Sequence, residues 1–138
     1  MPEKDITQIE TFDSLYVFDQ ENDEWVGGWW NIFSIPGKDL SKAINIATAA
    51  THEIIPAAAG KRIRITSLML TVGGEVNITL YNGAVALSGA MDFGAASEPR
   101  GMVSNFGNRA MELSASSSFK ILLSAAVQVS GFVCYHLV

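Results

Sequence analysis

Charge is scarce over the second half of this chain. Between Ile65 and Val138 only Glu75, Asp92, Glu98, Arg100, Arg109, Glu112 and Lys120 are charged, seven side chains in 74 positions, whereas about a quarter of residues are charged in an ordinary soluble domain. A small domain exposes most of its side chains, so a surface this poor in charge is weakly protected against association. The expectation is a body covered by copies of itself or by a partner, an assembly module rather than a catalyst.

Other absences narrow the field. Cys134 is the single cysteine, which excludes an intrachain disulfide and a multi-cysteine zinc site. A reducing cytoplasm suits such a chain. No stretch reaches the roughly eighteen apolar residues of a membrane span, and the acidic start has neither the basic nor the apolar region of a secretory signal. Synthesis and use without export by that route are expected, with no membrane partner. Lys61, Arg62 and Arg64 form the only basic cluster and read as the solvated start of a strand. Affinity for phosphate backbones needs more clustered cations, so no nucleic-acid partner is expected.

The charges that are present gather at one end. Residues 1 to 24 hold eight acids and one lysine, a balance of -7, while the remainder carries +2. Within this acidic head one hairpin is legible: Leu15-Tyr16-Val17-Phe18, the polar turn Asp19 to Asp23, then Glu24-Trp25-Val26. All three tryptophans, Trp25, Trp29 and Trp30, fall within six residues and are followed by Phe33 and the Pro36-Gly37 breaker. So many aromatics need a cover. They can fold back on the body as a second layer, or they can anchor an arm on a neighbouring protein, since aromatics bury large areas at low entropic cost. Tyr16, Phe18, Trp25, Trp29, Trp30 and Phe33 are accordingly the candidate partner-contact residues. Asp39 to Thr51 is small, Ala/Thr-rich and weakly periodic, and reads as a linker with one turn or short strand. The organisation expected is an arm with hairpin and linker over residues 1 to 50, and a β-sandwich over residues 51 to 138.

From His52 the β signal dominates. Lys61 to Val72 is a long strand whose apolar phase shifts from Ile63 and Ile65 to Leu68, Leu70 and Val72, predicting a bulge near Thr66-Ser67. Gly73-Gly74 reads as a hairpin into Glu75 to Tyr81, where Val76, Ile78 and Leu80 share a face; Asn82-Gly83 reads as a second hairpin. Further strands are expected at Arg100 to Asn105, Ala110 to Ser114, Phe119 to Leu123 and Val127 to Val138, the last with Val127, Val129, Val133, Tyr135 and Leu137 on one face. Short strands at this spacing predict an all-β chain, an antiparallel β-sandwich of jelly-roll type.

Motifs that carry chemistry are thin. There is no Gly-x-Ser-x-Gly turn, and Gly60-Lys61-Arg62 lacks both the glycine spacing and the Ser/Thr of a phosphate-binding loop. Asn77-Ile78-Thr79 matches a glycosylation acceptor that has no meaning without export. His52 and His136 are the only imidazoles. His136 follows Cys134 by two residues, as two ligands on one strand face would, but zinc needs more ligands than that. Carboxylates such as Asp19, Glu21, Asp23 and Glu24 sit in the polar head and read as a solvated turn. No enzyme activity, cofactor or metal is expected.

The stretches Ile55 to Ile65 with Leu68-Met69-Leu70, and Leu123 to Gly131, resemble the β-rich domains of small structural proteins from tailed bacteriophages. The segment Leu15 to Val26 is similar to the openings of small phage virion proteins. The resemblance implies a virion protein with a jelly-roll-like sandwich, often trimeric, that decorates the capsid or forms part of a fibre. Its partners would be copies of itself, as a homotrimer, and the major capsid protein or another virion protein. Three functions are weighed: a capsid decoration or cement protein; a fibre or receptor-binding module whose loops, residues 90 to 100 and 104 to 109, touch a host glycan; and a small jelly-roll hydrolase, which lacks a credible acid-base pair. The first is preferred.

Overall fold

The protein is seen in a computed structural model that describes residues 40–106 and 111–138, together with the backbone of Tyr16–Asp19 and Glu24–Gly27. Every regular element among them is a strand. The chain divides into two compact units, Met1–Pro36 and Gly37–Val138.

In the first unit β1 (Tyr16–Asp19) pairs antiparallel with β2 (Glu24–Gly27), with Phe18 opposite Trp25 and Asp19 opposite Glu24. This is the hairpin expected from two short apolar runs around a polar stretch.

The second unit is a sandwich of two antiparallel sheets. In one, β12 (Val129–Leu137) lies between β3 (Leu40–Ile46) and β5 (Ile63–Val72), and the far edge of β5 is shared by β9 (Gly101–Asn105) and β10 (Met111–Glu112). In the other, β11 (Phe119–Leu123) lies between β4 (Thr51–Ile55) and β6 (Val76–Asn82), and the far edge of β6 is shared by β7 (Val85–Ala86) and β8 (Met91–Phe93). The pairings nest: β3 with β12, β4 with β11, β5 with β9 and β10, β6 with β7 and β8. Two packed antiparallel sheets make the β-sandwich expected from the sequence.

The alternation of each strand decides what lies between the sheets. Ile63, Ile65, Leu68, Leu70, Val129 and Val133 from one sheet meet Ile54, Ile55, Val76, Ile78, Phe119, Ile121 and Leu123 from the other in a single buried cluster. Each such side chain contributes about 1.5–3 kcal/mol when fully buried. Val127, Tyr135 and Leu137 are half-buried against the same cluster, so the face expected for the last strand is the inner one.

Two expected local features are present. On β12, Cys134 faces Ser67 and Tyr135 faces Ile65, which leaves Thr66 as the extra residue of a bulge. Its hydroxyl donates to the Cys134 carbonyl at 3.2 Å, and its carbonyl accepts from the Phe106 amide at 2.8 Å. The phase shift in the sequence is this bulge, and it falls where the neighbour of β5 changes from β9 to β10. The turn after β6 closes on the pair Asn82 and Val85, with Gly83 in the left-handed region at φ 60°.

Two expectations are corrected. Gly73-Gly74 does not close a hairpin, because β5 and β6 belong to different sheets and the chain crosses between them there. The Gly73 amide donates to the Gln128 carbonyl, which holds the crossing against the segment leading into β12. The boundary expected after residue 50 also moves. Residues 40–46 are not linker but an edge strand, paired with β12 from Leu40 opposite Tyr135 to Ile46 opposite Val129. Only Ile44 in it is buried, too weak an alternation to mark a strand in sequence.

Candidate functional site

The outer face of the sheet containing β12 is built from side chains that the alternation turns away from the core. Three rows run across β3, β12, β5 and β9 in register. The first is Asn45, Ser130, Thr71 and Gly101; the second is Ala43, Phe132, Met69 and Val103; the third is Ser41, Cys134, Ser67 and Asn105. None of the twelve is Asp, Glu, Lys, Arg or His. The middle row carries two of the exposed large hydrophobic side chains of the described residues, Val103 at 78% and Phe132 at 40% exposure. With strands about 4.8 Å apart and rows about 6.8 Å apart, the three rows cover roughly 400 Å².

Close approach of backbones shapes this face from within. Gly131 lies on β12 beside Phe132, and a Cβ added there would come 1.9 Å from the Met69 carbonyl oxygen. No side chain fits, so β12 and β5 stay close under Phe132 and Met69.

Polar groups border the face at both ends. At one end the Gln128 side-chain amide donates to Asn45 Oδ1 at 2.7 Å and to Ser130 Oγ at 2.9 Å. At the other, Arg62 Nη1 donates to Glu112 Oε1 at 2.8 Å and Arg64 Nε to Glu112 Oε2 at 2.6 Å. The two hydrogen bonds, Arg62 first and then Arg64, hold the Glu112 carboxyl below its ordinary value. The basic cluster read as a solvated strand start therefore includes two arginines gathered on one carboxylate, while Lys61 is exposed.

The opposite sheet is different on its outside. Lys120 faces Glu53 on one side and Tyr81 on the other, and Asp92 faces Asn77. Both signs of charge are spread over it. The sheet containing β12 also carries charge, in Lys42 on β3, Arg64 on β5 and Glu112 on β10, so the uncharged area is a patch of three rows within its outer face.

This geometry limits the chemistry. The twelve side chains offer no carboxylate or imidazole for proton transfer and no cation for phosphate. They offer apolar area, together with hydroxyl and amide groups that can donate and accept. Among the described residues no group of three or more His, Cys, Asp or Glu is close enough to hold a metal. His52 is on β4 with Nε2 against the Thr48 carbonyl at 2.9 Å, and His136 is buried on β12 opposite Arg64. The two imidazoles belong to different sheets.

Of the partner-contact residues expected from the sequence, Tyr16, Phe18 and Trp25 lie on β1 and β2, with Phe18 and Trp25 directly paired in register. Trp29, Trp30 and Phe33 lie outside the described residues. The face centred on Phe132 was not legible as a site. The signal for Phe132 is its position between inward Val129 and Val133, but nothing local says that Ala43, Met69 and Val103 stand beside it. No protein-family model matches this chain, and no curated protein matches it.

Proposed function

We propose that this chain is a non-enzymatic structural protein of a tailed-bacteriophage virion, one that decorates or cements the capsid. In this reading the sandwich joins copies of the chain to one another, and the aromatic residues Tyr16, Phe18, Trp25, Trp29, Trp30 and Phe33 bind the major capsid protein. The observation that carries it is the uncharged three-row patch on the outer face of the sheet containing β12, which suits burial against protein. Jelly-roll sandwiches serve in viral capsid domains. Fold alone does not assign function, so the weight rests on the face and on the separate aromatic unit.

Division into two units gives the reading its physical sense. Weak contacts from one unit are multiplied when the other holds several copies together, because the second and later contacts form at high effective concentration. A cement protein needs that arrangement. The segment between β8 and β9 is tied to itself, with the Gly94 amide donating to the Pro99 carbonyl and the Ala95 amide to the Glu98 carboxylate, each at 3.0 Å.

The test is attachment to particles. Trp25→Ala with Phe18→Ala in the full chain should leave the far-ultraviolet circular dichroism of the sandwich unchanged while co-sedimentation with capsids lacking the protein is lost. Undiminished co-sedimentation would remove the aromatic unit from the attachment surface.

A further inference from the structure

We infer that the face formed by Ala43, Phe132, Met69 and Val103 with its two flanking rows is where copies of this chain meet, a second copy being the occupant. The inference rests on the assembly reading above and deepens it by assigning the surface. Three observations select this partner.

The first is charge. A partner that set ions against the twelve central residues would leave them desolvated without counter-charge, at a cost of several kcal/mol per buried ion. A second copy presents none. Its Ser, Thr and Asn side chains both donate and accept, so the face is able to satisfy itself across a symmetry axis.

The second is the anatomy of the face. Interfaces have a centre depleted in charge and enriched in aromatic residues and Met, surrounded by a polar rim. Here Phe132 and Met69 lie at the centre of the middle row, Gln128 with Asn45 borders one end, and Arg62, Arg64 and Glu112 border the other. The central 400 Å² or so is about half of what each partner contributes to a standard interface. The bordering side chains and strand ends supply further area.

The third is relief. The middle row is a ridge of Phe132, Met69 and Val103 that ends at Ala43, and the flanking rows, with Ser130, Thr71 and Gly101 on one side and Ser41, Cys134 and Ser67 on the other, are lower. Two sheet faces pack about 10 Å apart with their side chains interdigitated. A protruding Phe132 needs a recess on the facing sheet, and Ala43 with its serine neighbours provides one on an identical copy.

The experiment is the mass of the full chain by light scattering after size exclusion, for the wild type and three variants. Phe132→Asp and Val103→Lys put a charge at the centre and toward the β9 edge of the face; Thr51→Lys puts one at an exposed position of the other sheet. Circular dichroism and a thermal melt check folding, and Val103, being the most exposed, is the variant least able to disturb it. The inference expects a wild type whose mass is a multiple of one chain, a single-chain mass for Phe132→Asp and Val103→Lys, and no change for Thr51→Lys. A folded Val103→Lys and Phe132→Asp that keep the wild-type mass would overturn the assignment of the face while leaving the assembly reading intact. A wild type at single-chain mass would overturn both the face and the assembly.

Discussion

At the scale of single residues the most informative interaction is the one made by Glu112. Both of its oxygens accept hydrogen bonds from guanidinium groups, Arg62 and Arg64, across β10 and β5. A carboxyl whose folded pKa is depressed stabilises the fold above its unfolded value and loses that contribution as pH falls through the folded one. Glu112→Gln should therefore lower the urea midpoint at neutral pH, and the gap from the wild type should close as pH is taken below the ordinary value of 4.5. A gap that persists unchanged in acid would show that the carboxylate's charge is not what matters. Sequence showed the two arginines, two residues apart, but not their partner, because Glu112 is 48 residues from Arg64. Gly131 has the same character. Its need to be glycine comes from the Met69 carbonyl on the adjacent strand, which no local pattern reveals.

At the scale of elements, strands and their faces were legible where the core imposes a strict period of two. Val76, Ile78 and Leu80 on β6, and the phase shift that becomes the Thr66 bulge on β5, are of this kind. Partnership was not legible. In the nested order β3 pairs with β12 and β4 with β11, strands far apart in the chain, and a Gly-Gly step serves a crossing between sheets as readily as a hairpin. Edge strands hide for a related reason: β3 buries only Ile44, so nothing in its composition sets it apart from linker. The same distinction between central and edge strands governs local stability. β11 and β12 are hydrogen-bonded on both sides and carry the fully buried Phe119, Ile121, Val129 and Val133. β7 and β10 are two-residue edge strands. Native-state hydrogen exchange should find the amides of β11 and β12 opening only with global unfolding, and those of β7 and β10 exchanging first at far lower protection. Equal protection across all four would contradict this division of stability.

At the scale of the whole molecule, the shortage of charge read from Ile65 to Val138 includes an uncharged patch of three rows on the outer face of one sheet. The opposite sheet presents Glu53, Lys120 and Asp92; the sheet with the patch gathers Arg64 and Glu112 at one end of its outer face, with Lys42 on its edge strand, and leaves three rows without an ion. Composition showed that charge was missing and could not show from where, since the twelve residues of that face are drawn from four strands between Ser41 and Cys134. The hairpin of β1 and β2 was legible as a local pattern, and it belongs to the first of the two units, Met1–Pro36. The aromatic candidates divide accordingly, Tyr16, Phe18 and Trp25 on those two strands and the remainder beyond them.

The central claim is that copies of this chain associate through uncharged surface, and salt separates that mode of association from any other. Exposed ion pairs are screened within about 8 Å at physiological ionic strength and about 3 Å at 1 M, whereas burial of uncharged surface is not weakened in this way. Sedimentation velocity of the full-length protein in low salt and in 1 M sodium chloride is the direct measurement. The expected result is a mass of more than one chain that is the same in both. A single chain in low salt, or an assembly that dissociates as salt is raised, would contradict it.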